Sequence, residues 1–361
     1  MTTAAVMPAM PTEWSECLLP PAEMPQALAR EIKALVGASP GFAPHLAHAP
    51  WVARAIARMI DDQPVYMSAT ADERIMLVLA QENSCRYCYG MHRALLRVAG
   101  HSEPDIDRIV RDSLVTDLSP TDRAAVDWAR RVARCNPRPG PAELRALEAA
   151  GLDRPAAVEV AGRAAFGSFV NRIATLAALP PEPLEAFTQT PYFRFIRPLV
   201  ALGFRRRARS PKPAPAPRDP CARVVASLGD SPTAHVVRAI IDDALASPIL
   251  PARTKGLVMV VVARALACPY GEAEARALLA REGFAASDVD EVLATLSSPR
   301  LDTREARLVP FARETIRYQP AVIQARIREV CRDLGPAETT EAIGIISLAN
   351  AVCRLSVVLD A

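Results

Sequence analysis

Four residues with chemically active side chains stand between positions 73 and 92 of this sequence. Glu73 precedes Cys85 by twelve residues, and Cys85 opens a Cys-x-x-Cys-x-x-x-His pattern that continues with Cys88 and His92. Two thiols at this spacing can be oxidised to a disulfide, and a thiolate can attack an electrophile while the imidazole and the carboxylate move protons. In a reducing compartment such a pair is more typical of catalysis or metal binding than of a structural role.

A helix that begins at the first cysteine would bring three of these side chains to one face. Asn83-Ser84 is a helix-start signal with Ser84 as the candidate N-cap, and the helix is predicted to span about 85–98 and to stop at Gly100. Positions 85, 88 and 92 then share one face. The apolar segment 73–81 is predicted as the preceding helix, from which Glu73 could reach back as a proton acceptor.

The start of this helix favours a negatively charged sulfur. The first turn has unpaired backbone N–H groups and the positive end of the helix dipole, and both stabilise an anion. We therefore expect thiolate near neutral pH, with the pKa of Cys88 below the free value of about 8.5. Cys88 and His92 are i, i+4 neighbours, so a direct or water-bridged hydrogen bond between them is expected.

The pattern Glu-x11-Cys-x2-Cys-x3-His, with a helix start at the first cysteine and an all-helical context, resembles the AhpD-like alkylhydroperoxidases of the carboxymuconolactone decarboxylase superfamily. The stretch Phe169-Val-Asn-Arg172 is similar to a later core helix of that family. The resemblance covers roughly residues 40–179 and, more faintly, the second half of the chain. It implies an oxidoreductase that is a Cys-based peroxidase.

This resemblance implies a role for each residue of the motif. Cys88 would attack the O–O bond of a peroxide as a thiolate and become a sulfenic acid, and Cys85 would resolve it as an intramolecular disulfide. His92 and Glu73 would move protons, through Cys85 or a water. An external dithiol, either a lipoyl group or a thioredoxin-like protein, would reduce the disulfide by exchange. No cofactor and no metal is expected.

Other interpretations of the same residues stay open at this point. Cys85, Cys88 and His92 could bind zinc with Glu73 as a fourth ligand, although their spacing along one helix is unlike that of structural zinc sites. The two thiols could simply be buried core residues. The chain could be a non-catalytic helical oligomer or a redox-sensing scaffold, or it could carry decarboxylase or lactone chemistry, which would survive loss of both thiols.

The composition indicates how such a site would be supported. The chain has 361 residues, of which 50% are hydrophobic and 5% aromatic, and only 15 are glycine. This length suggests two domains, each able to bury a core. No stretch alternates with a period of two, so an all-α protein is predicted. Further amphipathic helices are predicted at 52–61, 103–112, 120–134, 141–150 and 155–177.

An internal repeat with an offset of 183 residues runs through the chain. The offset places Arg93-Ala-Leu-Leu on Arg276-Ala-Leu-Leu and Trp128-Ala-Arg on Phe311-Ala-Arg. It also places Pro137 on Pro320. A constant offset over about 100 residues predicts a tandem duplication of one helical bundle. The predicted units are an AhpD-like domain at 1–204, a basic Pro-rich linker at 205–220, and a degenerate AhpD-like domain at 221–361.

The second unit is predicted to lack the site. By the offset, Cys268 stands for Cys85, whereas the other three motif positions have lost their functional side chains. The replacements are Gly256 for Glu73, Gly271 for Cys88 and Ala275 for His92. A lone cysteine at a helix start is usually a small inert hydrophobe, so we expect Cys268 to be structural. The second half is expected to pack on the first as a neighbouring subunit would.

Other residues receive weaker expectations. Tyr87 and Tyr89 flank Cys88 and would either line a pocket or fill space, and Arg86 could favour a thiolate. Asn171 and Arg172 could orient the proton relay, but a buried structural arginine that pairs with an acidic neighbour is slightly favoured. The remaining cysteines have no metal-ligand spacing and are predicted to be structural: Cys17, Cys135, Cys221, Cys331 and Cys353.

Charge and hydropathy set the expected partners and location. The net charge is +3, and the linker at 205–220 alone holds six Arg or Lys residues and one Asp. The rest of the chain is therefore nearly neutral, so no nucleic acid is expected as a partner. The longest apolar run, 342–353, is too short to span a bilayer, and no signal peptide is recognised, so no membrane association is expected. We expect a cytoplasmic homo-oligomer.

Overall fold

A computed structural model describes residues 16–111, 118–135, 139–205 and 210–360. Within these ranges the regular secondary structure is entirely α-helical, which confirms the predicted all-α class. Residues 1–15 of the first predicted unit, Pro137 and residues 206–209 of the predicted linker lie outside the described residues. The described part of the linker, 210–220, is largely exposed, and its carbonyls at Arg218 and Pro220 accept hydrogen bonds from Arg238.

Up to residue 205, the described residues form eleven helices. Their bounds are α1 (Gln26–Val36), α2 (Phe42–Leu46), α3 (Pro50–Asp61), α4 (Ala69–Glu82), α5 (Arg86–Ala99), α6 (Glu103–Arg111), α7 (Pro120–Arg134), α8 (Pro141–Ala149), α9 (Arg154–Ala177), α10 (Pro183–Phe187) and α11 (Phe193–Arg205). From residue 210 onward, the described residues form eight more. Their bounds are α12 (Ala222–Ala226), α13 (Pro232–Ala246), α14 (Ala252–Ala265), α15 (Pro269–Arg281), α16 (Ala286–Thr295), α17 (Thr303–Glu314), α18 (Pro320–Leu334) and α19 (Pro336–Leu359).

The order of the helices follows the offset found in the sequence. Helices α4, α5, α6 and α7 begin 183 residues before α14, α15, α16 and α17, and α9 and α19 are both 24 residues long. Equivalent helices therefore occupy equivalent positions in the two halves. A common origin by duplication, and domain boundaries at residues 204 and 221, remain predictions.

Helices α9 and α19 form the centre of the molecule. They pack on each other, nearly every residue of both is buried, and one hydrophobic cluster extends from them through both halves. Helix α19 is long and apolar enough to cross a membrane, with a mean hydropathy of 2.0, but 94% of its most apolar window is buried inside the protein. This helix continues through Arg354, at which the apolar run in the sequence is interrupted.

Two arginines join the halves by reciprocal contacts. Arg172 on α9 donates to the carbonyl oxygens of Thr315 (2.6 Å) and Ile316 (3.1 Å), at the end of α17. Arg354 on α19 donates to the carbonyl oxygens of Ala133 (2.7 Å) and Val132, at the end of α7. Each guanidinium satisfies carbonyls that a helix C-terminus leaves without partners. The same contact made twice in opposite directions is the pattern of a two-fold interface. That the second half packs as a neighbouring subunit would stays a prediction.

Candidate functional site

Cys85 lies at the junction between α4 and α5. Its backbone is extended (φ −88°, ψ 94°), and its Sγ accepts a hydrogen bond from the backbone N–H of Cys88 at 3.2 Å, so Cys85 is the N-cap of α5. Ser84, the N-cap predicted from the sequence, instead adopts a left-handed conformation with φ 52°. That prediction was wrong because Ser84 lies with Asn83 in the turn between α4 and α5, one residue before the helix cap. The sulfur thus takes the anion-stabilising position at the start of the helix.

The two thiols lie in a dry environment. Cys85 is fully buried and Cys88 is 3% exposed, and neither is in a disulfide. Burial raises the pKa of Cys88 well above its usual value, and the hydrogen bond and charge of the Cys85 sulfur raise this pKa further. The lowered pKa expected for Cys88 is therefore wrong: its thiol is desolvated and faces a second sulfur, and both effects outweigh the helix start. Cys88 keeps its proton near neutral pH, with the Cys85 sulfur as neighbour.

Glu73 and His92 meet across the α4–α5 pair. His92 Nδ1 lies 2.8 Å from Glu73 Oε2, and both side chains are partly exposed. A neutral imidazole that donates Nδ1–H to the carboxylate presents Nε2 as a proton acceptor. In the described part of the chain, no direct hydrogen bond joins His92 to either sulfur. The four motif residues are thus brought together as two pairs, Cys85 with Cys88 and Glu73 with His92.

The residues between the cysteines are held by two glutamates. Arg86 forms a two-pronged ion pair with Glu185 of α10, at 2.8 and 3.2 Å, so its charge is directed to a carboxylate and not reserved for a thiolate. The Tyr87 hydroxyl donates to Glu182 Oε1 at 2.9 Å. Glu182 also accepts the backbone N–H of Phe42, at the start of α2. These contacts fix the first turn of α5 against the surrounding helices.

Several neighbours have structural roles. Tyr89 accepts a hydrogen bond from Arg93 (3.0 Å) and packs on a small cluster that includes Leu77. The Asn171 amide donates to the carbonyl of Gly167 at 2.6 Å, within its own helix. Arg172, as described above, caps α17. The described hydrogen bonds give Asn171 and Arg172 no contact with the Glu73–His92 pair. Arg172 is a buried structural residue, but its partners are main-chain carbonyls and not the acidic neighbour that was expected.

The second half contributes a residue to the site that the sequence analysis missed. Tyr318, which follows α17, is stacked at 5.4 Å from the Arg172 guanidinium, and its hydroxyl reaches the Asn83 carbonyl at 3.5 Å. Burial raises the pKa of Tyr318, with a smaller contribution from nearby Cys85. The offset of 183 aligns Tyr318 with Cys135. The replacement of a small thiol by a large aromatic ring could have marked Tyr318 as unusual. It would not have shown that the ring lies at the junction between α4 and α5.

Known proteins place this region in a family. Residues 67–131 match the sequence model of the Carboxymuconolactone decarboxylase family. Over these residues the chain is similar to that family. The matched segment extends through α4 and α5, which carry all four motif residues, and includes most of α7, so the resemblance stated from the motif is confirmed at the level of the family.

The crystal structure of an alkylhydroperoxidase AhpD core, an uncharacterized peroxidase-related protein from Ralstonia eutropha JMP134, is similar at 24% identity and a TM-score of 0.42, over 48% of this chain and 97% of that one. No curated protein matches the chain.

The described residues do not bring together the ligand set that the zinc interpretation requires. No group of three or more His, Cys, Asp or Glu side chains in the described ranges is arranged to hold a metal ion. The zinc interpretation needs Cys85, Cys88 and His92 around one point, whereas the histidine is directed to Glu73. The site is therefore best described as a buried dithiol beside a carboxylate–imidazole pair.

Proposed function

We propose that this protein is a thiol-dependent peroxidase that reduces hydroperoxides through a dithiol–disulfide cycle of Cys85 and Cys88. The proposal is carried by the arrangement at the start of α5, where the Cys85 sulfur caps the helix and adjoins the Cys88 thiol, with His92 and Glu73 following on the same helix pair. Two adjacent thiols with a proton acceptor nearby are the groups that such a cycle requires.

The proposed cycle begins with the removal of the Cys88 proton. Because the pKa of Cys88 is raised, this proton must leave as the peroxide binds, toward the Cys85 sulfur or through water to the imidazole held by Glu73. The Cys88 thiolate attacks one peroxide oxygen, so an S–O bond forms, the O–O bond breaks, and the alcohol leaves with a proton. The Cys85 sulfur then attacks the sulfenic sulfur, the S–S bond forms, and water leaves.

The proposed partners follow from this chemistry. The Cys85–Cys88 disulfide needs an external dithiol, and we propose a lipoyl group or a thioredoxin-like protein, which would act by thiol–disulfide exchange. We also propose that the chain works as a homo-oligomer in the cytoplasm. The family name supports a second candidate, decarboxylase or lactone chemistry in the same helical frame, for which neither thiol is required.

The test is hydrogen peroxide consumption by the reduced protein, followed by stopped flow. We expect the wild type to form a Cys85–Cys88 disulfide, and Cys88→Ser to lose more than about a hundredfold in rate because the nucleophile is gone. Cys85→Ser should react once and remain a sulfenic acid. Cleavage after Arg86 by trypsin separates the two cysteines, so the disulfide appears as a linked peptide pair.

The control is Cys331→Ser, on α18, which should behave as the wild type. If peroxide leaves both motif thiols unchanged, the peroxidase proposal fails. Turnover of a lactone or a β-keto acid that persists in Cys85→Ser/Cys88→Ser would establish the second candidate in its place.

A further inference from the structure

A second pair of cysteines meets in the half of the molecule that lacks the Cys-x-x-Cys motif. Cys268 is the N-cap of α15, and its Sγ accepts the backbone N–H of Gly271 at 3.3 Å, as Cys85 does at the start of α5. Its Sγ also lies 3.1 Å from the hydroxyl of Ser356 on α19. The sulfur that the sequence analysis took as inert therefore has the same helix-start position as Cys85 and a side-chain hydroxyl beside it.

The space of the missing second thiol is occupied by a cysteine from another helix. Gly271 stands where the offset places Cys88, and a Cβ added at Gly271 would lie 2.6 Å from the Sγ of Cys353 and 3.3 Å from the Sγ of Cys268. A side chain at this position would therefore displace the Cys353 sulfur, which the glycine accommodates. The thiol lost from α15 is thus replaced in space by a thiol from α19.

The two halves carry their second thiol on different helices. Helix α5 carries Cys88 and α9 carries Asn171, whereas in the second half α15 carries Gly271 and α19 carries Cys353. Cys353 aligns with Asn171 because α19 begins 182 residues after α9, one fewer than the offset of the earlier helices. Both Cys268 and Cys353 are 2% exposed, close to the 3% of Cys88. The hydrogen bond to Cys268, together with burial, raises the pKa of Cys353 well above its usual value. The Cys353 thiol is thus the donor and the Cys268 sulfur the acceptor.

We propose that Cys268 and Cys353 form a second redox centre that closes to a disulfide when a hydroperoxide oxidises it. The Cys268 sulfur attacks one peroxide oxygen: an S–O bond forms, the O–O bond breaks, and the alcohol or water leaves with the Cys268 proton. The Cys353 sulfur then attacks the sulfenic sulfur, an S–S bond replaces the S–O bond, and water leaves with the Cys353 proton. Two thiols lose two electrons, and the hydroperoxide gains them.

The experiment uses the full chain with Cys85→Ser/Cys88→Ser, in which six of the eight cysteines remain. The reduced variant is treated with hydrogen peroxide, its thiols are alkylated in denaturant, and tryptic peptides are mapped. We expect two of the six thiols to disappear and the peptides that contain Cys268 and Cys353 to be recovered as one linked species. Six surviving thiols, or a linkage through Cys221 or another cysteine, would overturn the proposal.

Two further variants in the same background keep the result specific. Adding Cys353→Ala should abolish the two-thiol loss, whereas adding Cys331→Ser should leave it unchanged. If Cys353→Ala does not fold, Cys268→Ala serves the same purpose, because it removes the other half of the linkage. The proposed first site is tested separately in Cys268→Ala/Cys353→Ala, in which the Cys85–Cys88 pair is intact and the second pair is absent. Failure of one proposed site is therefore distinguishable from failure of the other.

Discussion

Cys85 and Cys88 have opposite roles in one hydrogen-bonded pair. The Cys85 sulfur caps the helix and accepts, whereas the Cys88 thiol is desolvated beside it and holds its proton. An isolated cysteine in the first turn of a helix would be acidic, and the sequence alone leads to that expectation. The second sulfur and the buried surroundings reverse it. The reactivity of Cys88 therefore depends on a proton acceptor and not on a resting thiolate.

The pH dependence of Cys88 alkylation tests this reversal. Because burial and the Cys85 sulfur raise the folded-state pKa of Cys88 well above its usual value, the thiolate fraction grows by about tenfold per pH unit throughout the range below that pKa. The rate of Cys88 labelling by iodoacetamide, followed on its tryptic peptide, should rise from pH 7 to pH 9 without a plateau. The unfolded protein is the control and should level off above its ordinary thiol pKa. A plateau near pH 7 in the folded protein would contradict the assignment.

Sequence periodicity predicted the bounds of single helices well, because those bounds are set by residues close to one another in the sequence. Helix α7 spans Pro120–Arg134 as predicted at 120–134, and α5 ends at Ala99 with Gly100 in the left-handed conformation that favours glycine. These features depend on residues close in sequence, so local propensity and helix geometry were sufficient. Glu73 was expected only to reach back from α4 as a proton acceptor, and its partner His92 is a finding of the structure.

The contacts between distant helices could not be predicted in this way. Nothing in the spacing of Cys268 and Cys353 shows that α15 and α19 bring them together, and nothing around Tyr318 shows that it reaches the α4–α5 junction. Arg172 was assigned to the relay or to an acidic neighbour, whereas it binds main-chain carbonyls of the other half. Each of these placements is set by how whole helices pack, which a single sequence does not specify.

The arginine caps on α7 and α17 give a prediction at this scale. Arg354→Met removes the donor to two buried carbonyls, and we expect a loss of about 3 kcal/mol in the free energy of unfolding. Urea unfolding followed by circular dichroism measures this loss. Arg328→Met, at an exposed position of α18, is the matched control and should change stability by less than about 0.5 kcal/mol. Equal stabilities of the two variants would show that the caps contribute nothing.

The two halves of the molecule are also joined by a buried charge cluster. Lys255 and Glu341 form an ion pair at 3.1 Å, with side chains 1% and 0% exposed. Glu341 also accepts the indole N–H of Trp51 at 3.0 Å, which links α3 of the first half to α19 of the second. In the first half, Asp72 corresponds to Lys255 by the offset of 183, and Glu159 corresponds to Glu341 by the offset of 182 between α9 and α19. Asp72 pairs with Arg163. Each half therefore has a buried ion pair, but the charges are exchanged: the second half has its cation on α14 and its carboxylate on α19, whereas the first half has its carboxylate on α4 and its cation on α9.

Breaking the Lys255–Glu341 pair should destabilise the whole molecule. Lys255→Met leaves the Glu341 carboxylate buried without its cation, and we expect a loss of about 3–5 kcal/mol in the free energy of unfolding. Chemical denaturation with two probes, tryptophan fluorescence for the Trp51 side and circular dichroism for the helices, should give one coincident transition at lower denaturant. The exposed Lys33→Met is the control. An unchanged midpoint for Lys255→Met would contradict this role.

The pairing of α9 with α19 has a kinetic consequence. Helix α9 begins at residue 154 and α19 at residue 336, so the most extensive helix contact in the molecule closes a very long loop. Contacts between residues so far apart in sequence form slowly, because the entropy of closing the loop is lost before the contact stabilises anything. Until that closure, the apolar side of α9 stays open to solvent. We therefore expect a refolding intermediate of the first half that exposes apolar surface and is prone to aggregation.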